Sequence, residues 1–141
     1  LLLSHGDHLC TDDHDYLAFR AQVRNPDWQN TFLAQPLPKR MAQARAMRAQ
    51  SQNRQQSMAS LPDVNPLACE AALTLHQAQT LVHGHTHRPG HHHMGQGLER
   101  RVLSDWKAGG TAPRLEVLRL QAGQWQRVPL PEHPISAAAR P

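Results

Sequence analysis

A short apolar segment that runs directly into a histidine-rich turn is the feature that most constrains the fold of this chain. Residues 80–83, Thr-Leu-Val-His, are typical of a buried strand, and residues 84–87, Gly-His-Thr-His, follow without a break. A predicted helix precedes the strand, and alternation of helix and strand is characteristic of α/β proteins. Sites in α/β sheets lie at the carboxyl ends of strands. The sequence therefore predicts an α/β fold with a site just after this strand.

His85 and His87 are predicted to bind a metal ion at that strand end. Side chains two residues apart in extended backbone lie on the same side, so both imidazoles would face one ion. Gly84 would allow the sharp turn that brings the backbone close to the ligand, and Thr86 would face away from the ion and support packing. Imidazole ligands suit borderline divalent ions such as Mn, Fe, Co or Zn.

His5 is predicted to be a third imidazole ligand, because it ends the apolar opening segment of residues 1–5 and precedes a glycine. Residues 91–93 are also histidines, but they follow Arg-Pro-Gly in a glycine-rich stretch and are predicted to form a loop with incidental metal affinity. A dinuclear centre also needs bridging and terminal carboxylates. Since acidic residues near His5 are confined to Asp7, Asp12, Asp13 and Asp15, the chain is expected to hold about half of such a site.

The remaining pattern predicts helices, a hairpin and a tail. Helices are expected over residues 15–23, 26–33 and 39–56, and a further helix is expected to begin with Asn65 as N-cap and Pro66 in its first turn. That last helix is expected to present Leu67, Ala71 and Leu75 on one apolar stripe. A strand is expected within residues 101–106, a hairpin over 114–130, and a disordered tail over 131–141.

The charge pattern favours an anionic partner. The 141-residue chain carries a formal net charge of +4, and a basic balance suits phosphate-bearing ligands. Residues 28–62 contain no acidic side chain, and the basic residues in that stretch are Lys39, Arg40, Arg45, Arg48 and Arg54. The two cysteines, Cys10 and Cys69, are too few for a disulfide framework and are predicted to be free thiols.

Four segments in consistent order resemble the UDP-2,3-diacylglucosamine hydrolases, a family of the calcineurin-like metallophosphoesterases in the lipid A pathway of Gram-negative bacteria. They are residues 1–13 (Leu-Leu-Leu-Ser-His-Gly-Asp-His-Leu-Cys-Thr-Asp-Asp), Tyr16 with Phe19 and Arg20, residues 63–65, and residues 83–89. The resemblance extends to about residue 130. It implies hydrolysis of a pyrophosphate bond by metal-activated water, giving UMP and 2,3-diacylglucosamine 1-phosphate.

The resemblance also implies a fold, a cofactor and site residues. The expected fold is an incomplete α/β/β/α sandwich over residues 1–130 as one domain, with a helical lid inserted over 14–62. The expected cofactor is a pair of Mn²⁺ ions held in part by His5, His85 and His87. The substrate would contact Asp13, Ser51 and His85, with Arg54 in place of a lysine of the family. The protein would associate peripherally with the cytoplasmic face of the anionic inner membrane, with no nucleic-acid or obligate protein partner.

The sequence also departs from the family pattern. The N-terminal Asp-x-His, Gly-Asp and Gly-Asn-Arg-Asp motifs, which carry the other metal ligands and a phosphate-binding arginine in the family, are absent. The segment after Ser51 is one residue short. The chain is therefore expected to be a C-terminal fragment that is inactive alone and poorly soluble.

Two other functions stay open from the sequence. The first is a calcineurin-like phosphoesterase that acts on another nucleotide or phosphodiester. The second is a basic, non-enzymatic nucleic-acid-binding module. An aromatic content of 4% and the lack of a recognised binding motif count against the second.

Overall fold

The structure, a computed structural model, describes residues 1–57, 62–107 and 114–130. It is mixed α/β, as the sequence predicts. The elements in chain order are β1 (Leu2–Ser4), a 3₁₀ turn (Asp7–Leu9), α1 (His14–Arg24), α2 (Pro26–Leu33), α3 (Leu37–Ser57), α4 (Pro66–Leu75), β2 (Thr80–His83), β3 (Gly90–Gly95), β4 (Leu98–Val102), β5 (Glu116–Gln121) and β6 (Gln124–Pro129). The chain divides into a helical unit, Asp7–Cys69, and a sheet unit formed by Leu1–Gly6 with the described residues from Glu70 onward.

The sheet unit is built on four strands in the order β1-β2-β4-β3. β1 pairs with β2 in parallel, with Leu3 opposite Val82, and β2 pairs with β4 in parallel. β3 closes the other edge antiparallel to β4. The fully buried side chains of this unit include Leu73, Leu81, His83 and Val102. Because β1 and β2 are parallel neighbours, their carboxyl ends lie side by side. Residues 5 and 84–87, which follow these two strands, therefore lie at the same end of the sheet.

The hairpin predicted over residues 114–130 is confirmed, since β5 and β6 pair antiparallel from Glu116–Pro129 to Gln121–Gln124. The strand predicted at residues 101–106 lies earlier in the chain, over Leu98–Val102. The predicted bounds were wrong because β4 is set by its neighbour: residues 99–102 pair with β2, and the ladder ends where β2 ends, with the Leu103 amide donating to the carbonyl of His83.

The loop predicted for His91, His92 and His93 is also wrong, because these residues form the centre of β3. They pair with Arg101, Arg100 and Glu99 on β4. Of the glycines in this stretch, Gly90 begins β3, and Gly95 and Gly97 make the reversal between the two strands, where Gly95, Gln96 and Gly97 all have positive φ angles. Tertiary pairing with β4 thus gives the histidines the scaffold that the local composition did not indicate.

The helical unit follows its capping signals closely. The Asp13 side chain caps α1 by accepting a hydrogen bond from the amide of Tyr16. Asn25 caps α2 by accepting from the amides of Asp27 and Trp28, and Pro26 occupies the first turn, where its missing N–H costs nothing. The predicted helices over 15–23, 26–33 and 39–56 are confirmed in existence and almost in extent.

The α4 helix begins as predicted, but it buries a different face. The Asn65 side chain accepts from the amides of Leu67 and Ala68. Leu67 and Leu75 are 75% and 78% exposed, whereas Cys69 and Leu73 are fully buried. The predicted stripe was therefore wrong. The helix is apolar on several faces, so that helical spacing offers more than one candidate stripe and cannot choose the buried one.

Both cysteines are free, as the sequence predicts, and both are buried. Burial, reinforced by the negative charges of Asp63 and Asp13, raises the pKa of the Cys10 thiol to about 11. This thiol is therefore protonated at neutral pH and is not an activated nucleophile. Within the described residues, no helix combines the length and apolar character that a membrane span needs. The tail predicted over residues 131–141 lies outside the described residues.

Candidate functional site

The sheet unit brings His5 and His85 into contact. His5 follows β1 and His85 follows β2, and the carbonyl of His5 accepts a hydrogen bond of 3.1 Å from the amide of Gly84. The two imidazole rings pack edge to face, with their centroids 4.9 Å apart and their planes inclined by 66°. The structure thus places together two of the three histidines that the sequence predicts as metal ligands.

A buried histidine that the sequence assigned no role holds the two turns together. His83 is fully buried, and its Nδ1 donates to the carbonyl of Gly84 at 2.8 Å. Its Nε2 accepts from the Arg100 guanidinium at 3.4 Å. One ring nitrogen thus donates and the other accepts, which is the arrangement of a neutral imidazole. The only sequence signal for this role is a histidine that closes an apolar strand.

The tight approach of the first turn to His83 explains the glycine after His5. Gly6 has a φ of +96°, and a Cβ built on it would lie 2.8 Å from Nδ1 of His83. A positive φ is costly for residues with a Cβ, and the ring cannot retreat without losing its hydrogen bond to Gly84. Both backbone conformation and space therefore require glycine at this position.

Gly6→Ala should lower the free energy of unfolding by about 2–4 kcal/mol, the sum of a left-handed backbone cost and of overpacking against a buried ring. Gly97→Ala is the matched control, because Gly97 also has a positive φ of 76° but a Cβ there would meet nothing within 4 Å. It should cost only the backbone part, about 1–2 kcal/mol. Urea unfolding of both variants measures the difference, and equal losses would refute the proposed contact with His83.

The backbone at His85 and His87 is not the extended conformation that the sequence predicts. Both residues have positive φ angles, 66° and 53°. β2 ends at His83, and the amide of Thr86 donates back to the carbonyl of Gly84 at 2.8 Å, so that the chain turns here instead of continuing as a strand. The expectation that the imidazoles share one side through strand alternation is therefore wrong. The His87 side chain is 70% exposed, with Nδ1 4.0 Å from the Asp105 carboxylate.

The His5–His85 pair fits a shared transition-metal ion by its spacing. Two imidazoles bound at about 2.0–2.1 Å to one ion, at angles between square and tetrahedral, have centroids about 4.5–5.2 Å apart. The observed 4.9 Å lies in that range. The buried Oγ1 of Thr86, between the two turn histidines, has no hydrogen-bond partner in the part of the chain described. Thr86 is buried as predicted, and the turn contains a polar atom that a bound group or water could satisfy.

The described residues do not surround an ion completely. No group of three or more His, Cys, Asp or Glu side chains within them is arranged to hold one. The His5–His85 pair therefore supplies two ligands, and a dinuclear metal site needs further ligands besides these two. That the chain holds about half of a dinuclear site, and that His87 is one of its ligands, both stay predictions.

The helical unit contains the other predicted site residues. Arg54 on α3 donates through Nη2 to Oδ1 of Asp13 at 2.5 Å and through Nη1 to Oδ2 at 3.3 Å. The hydrogen bond to Asp13 raises the pKa of Arg54, so the guanidinium stays charged. Ser51 lies one helical turn before Arg54 on the same helix. The structure thus joins Asp13 and Arg54 by hydrogen bonds and places Ser51 near Arg54 on the same helix.

A cavity of about 410 Å³ lies beside this ion pair within the helical unit. Its lining combines polar and apolar groups: Asp15, Tyr16, Ala18, Phe19, Met47, Gln50, Ser51 and Arg54. A cavity of this size, lined by apolar side chains and a few polar groups, is typical of sites for small molecules. Asp13 is not among the lining residues, because its carboxylate is engaged with Arg54 and the α1 cap.

Comparison with known proteins gives one consistent set of relatives. No family model matches the chain. Proteins named UDP-2,3-diacylglucosamine hydrolase are 50% identical over 118 residues in Bordetella pertussis and 50% identical over 111 residues in Chromobacterium violaceum, covering 80% and 77% of this chain. The Stenotrophomonas maltophilia protein of the same name is 43% identical over 136 residues, or 89% of this chain.

The matched region is only part of each relative. It covers 45%, 46% and 53% of those three proteins, so that the chain spans about half the length of the curated relatives it matches. Identity at this level over most of a chain is a sign of common descent. Over that shared region, the chain is a homologue of the proteins named UDP-2,3-diacylglucosamine hydrolase, as its motifs indicate.

Proposed function

We propose that this chain serves in the hydrolysis of the pyrophosphate bond of UDP-2,3-diacylglucosamine, giving UMP and 2,3-diacylglucosamine 1-phosphate. The observation that carries the proposal is the identity of 43% or more with proteins that bear the name of this activity, over 77–89% of the chain. The alternatives of another nucleotide substrate or of nucleic-acid binding have no such support.

The metal-binding part of the proposal rests on the two adjacent strand ends. His5 and His85, with His87 as the predicted third imidazole, would hold Mn²⁺ as one side of a two-ion site. Bound Mn²⁺ would supply an activated water and would neutralise charge on the phosphoryl oxygens. The His5 and His85 rings would each bind the ion through one ring nitrogen, and His83 would keep both turns in place through its contacts with Gly84 and Gly6.

The substrate-binding part rests on the cavity of the helical unit. Arg54 carries a positive charge that suits a diphosphate, and Ser51 offers a hydroxyl to a polar head group. Phe19, Ala18 and Met47 line the same cavity and suit acyl carbons. Asp13, paired with Arg54, would accept from a sugar hydroxyl, and His85 would lie against a phosphate. We assign these roles as part of the proposal.

The proposal extends to the fold and the location of the protein. The mixed sheet would be one layer of an α/β/β/α sandwich, and residues 14–62 would form the helical lid of a single domain. Leu33, Leu37 and Met41 are 61%, 58% and 44% exposed, and they lie in the acid-free basic stretch. Apolar side chains among basic ones suit an anionic membrane surface, which fits peripheral binding at the cytoplasmic face of the inner membrane.

UMP release from UDP-2,3-diacylglucosamine with Mn²⁺ present tests the proposal. The chain is assayed alone and as a fusion to the segment of the Bordetella pertussis relative that lies outside the matched region. That segment would supply further ligands for the metal ions. Hydrolysis of the lipid substrate in preference to simple phosphodiesters supports the proposal. Preference for the phosphodiesters, or no hydrolysis in either preparation, refutes it. The chain alone is expected to be inactive, because two or three imidazoles do not complete a two-metal site.

A further inference from the structure

The strand β3 presents a second pair of histidines that belongs to no part of the proposed function. His91 and His93 alternate onto the same face of the strand, and their ring centroids are 4.4 Å apart. On the neighbouring strand, Arg101 and Glu99 lie opposite them in register. Both histidines are exposed. The pair shares no residue with the His5–His85 pair.

A carboxylate fixes the orientation of one of these rings. Nε2 of His91 lies 2.7 Å from Oε2 of Glu99. Glu99 is itself held from three sides, by Nε and Nη2 of Arg101 at 3.1 and 2.9 Å and by the Thr80 hydroxyl at 2.9 Å. Because a guanidinium and a hydroxyl both donate to it, the Glu99 carboxylate acts as an acceptor at this position.

This contact determines which nitrogen of His91 is available. An ionised carboxylate can only accept, so Nε2 of His91 must carry the proton. The lone pair of the neutral ring is then on Nδ1. A carboxylate that holds one ring nitrogen while the other binds a metal is the common arrangement around metal-ligating histidines, and it raises the basicity of the ligand.

We propose that His91 and His93 form a surface chelate for a borderline divalent ion such as Zn²⁺, with Glu99 as the positioning residue for His91. The centroid separation of 4.4 Å is within a few tenths of an ångström of the roughly 4.5–5.2 Å expected for two imidazoles on one zinc ion. The described His, Cys, Asp and Glu side chains supply no third ligand here, so water completes the coordination sphere.

The surrounding charges permit a cation at this position. The Arg101 guanidinium belongs to the residue opposite His91 in register, and it is paired with Glu99 and lies over the Trp125 ring, 4.8 Å from its centroid. Its charge is thus compensated by a carboxylate and by the ring face. Arg100 alternates to the opposite face of β4 together with His92 of β3, its partner in register. Neither arginine therefore places an uncompensated charge beside the two rings.

The test is the binding of Zn²⁺ to the full chain, measured by equilibrium dialysis and titration calorimetry. A variant with His5, His85 and His87 all changed to Gln removes the other candidate ligands. In that background we expect one Zn²⁺ per chain. His91→Gln or His93→Gln should weaken this binding at least tenfold, and Glu99→Gln should weaken it by about 10–100-fold. His92→Gln is the matched control from the same strand and should change affinity less than twofold.

Each possible outcome bears on the proposal. Equal affinity in the His91, His92 and His93 variants would overturn it, as would the absence of a Zn²⁺ ion from the background variant. If the triple substitution does not fold, the native chain and its His91→Gln/His93→Gln variant are compared by counting bound Zn²⁺ after dialysis. One ion fewer in the double variant supports the chelate, and an equal count overturns it. Circular dichroism confirms that each compared variant is folded.

Discussion

Replacing His85 with alanine should reduce Mn²⁺-dependent release of UMP about 10³-fold in the preparation that shows activity. A metal ligand lost from a phosphoryl-transfer site forfeits several kcal/mol of transition-state stabilisation, and each 1.36 kcal/mol is a factor of ten in rate. His5→Ala should give a loss of similar size, because the two rings are 4.9 Å apart and would share an ion. Initial rates at saturating substrate, with Mn²⁺ varied, measure the effect.

The control for this experiment is His76→Ala, an exposed histidine just beyond α4 that belongs to neither histidine pair. It should leave the rate within a factor of two.

His87→Ala tests the prediction that His87 is a metal ligand. A loss of activity comparable with that of His85→Ala would establish this role. If His5→Ala and His85→Ala were as active as the His76 variant, the ring pair would have no metal-binding role in catalysis.

Asp7→Ala should lower the free energy of unfolding by about 1.5–3 kcal/mol, the range for hydrogen bonds to a charged, buried acceptor. The Asp7 side chain is only 3% exposed, and its Oδ2 accepts from Nε of Arg20 at 2.5 Å. Arg24 and the Tyr16 hydroxyl each lie 3.4 Å from the same oxygen. Removal of the carboxylate takes away the acceptor that these donors of α1 share, and the partly buried Arg20 loses most by it because its side chain is only 26% exposed.

Urea unfolding followed by tryptophan fluorescence measures this loss. Asp27→Ala is the matched control, because Asp27 is exposed in the first turn of α2. It should cost no more than about 1 kcal/mol, through its favourable interaction with the helix dipole. Asp7→Asn keeps the volume of the side chain and should recover only part of the stability. A cost for Asp7→Ala as small as that of Asp27→Ala would show that the buried cluster does not stabilise α1.

The sequence predicted those parts of the fold that short-range signals determine. Asn25 and Pro26 give the start of α2, Asn65 gives the start of α4, and the alternation within residues 114–130 gives the hairpin. These signals act through the backbone of neighbouring residues, so that they can be read without knowledge of the rest of the molecule. The resemblance in residues 1–13 and 83–89 added the chemistry, which periodicity alone does not supply.

The errors concern features that depend on distant neighbours. The buried face of α4 is set by what packs on Cys69 and Leu73, and the strand at His91–His93 is set by pairing with β4. His83 holds the two turns together by packing against Gly6, which lies 77 positions earlier in the chain. The turn at His85 and His87 replaces a strand because the ladder ends at His83. None of these relations has a local pattern that predicts it.

His85 and His87 have a left-handed backbone conformation. At these two positions, the residue that would best stabilise the fold differs from the residue that could bind a metal ion. Glycine adopts such angles freely, whereas a residue with a Cβ carries a cost of roughly 1–2 kcal/mol at each. A chain selected for stability alone would gain by glycine at both positions and would lose the imidazoles by the same change. Redesign of this turn for stability alone would therefore tend to erase its proposed chemistry, and a more stable variant found there should be checked first for metal binding.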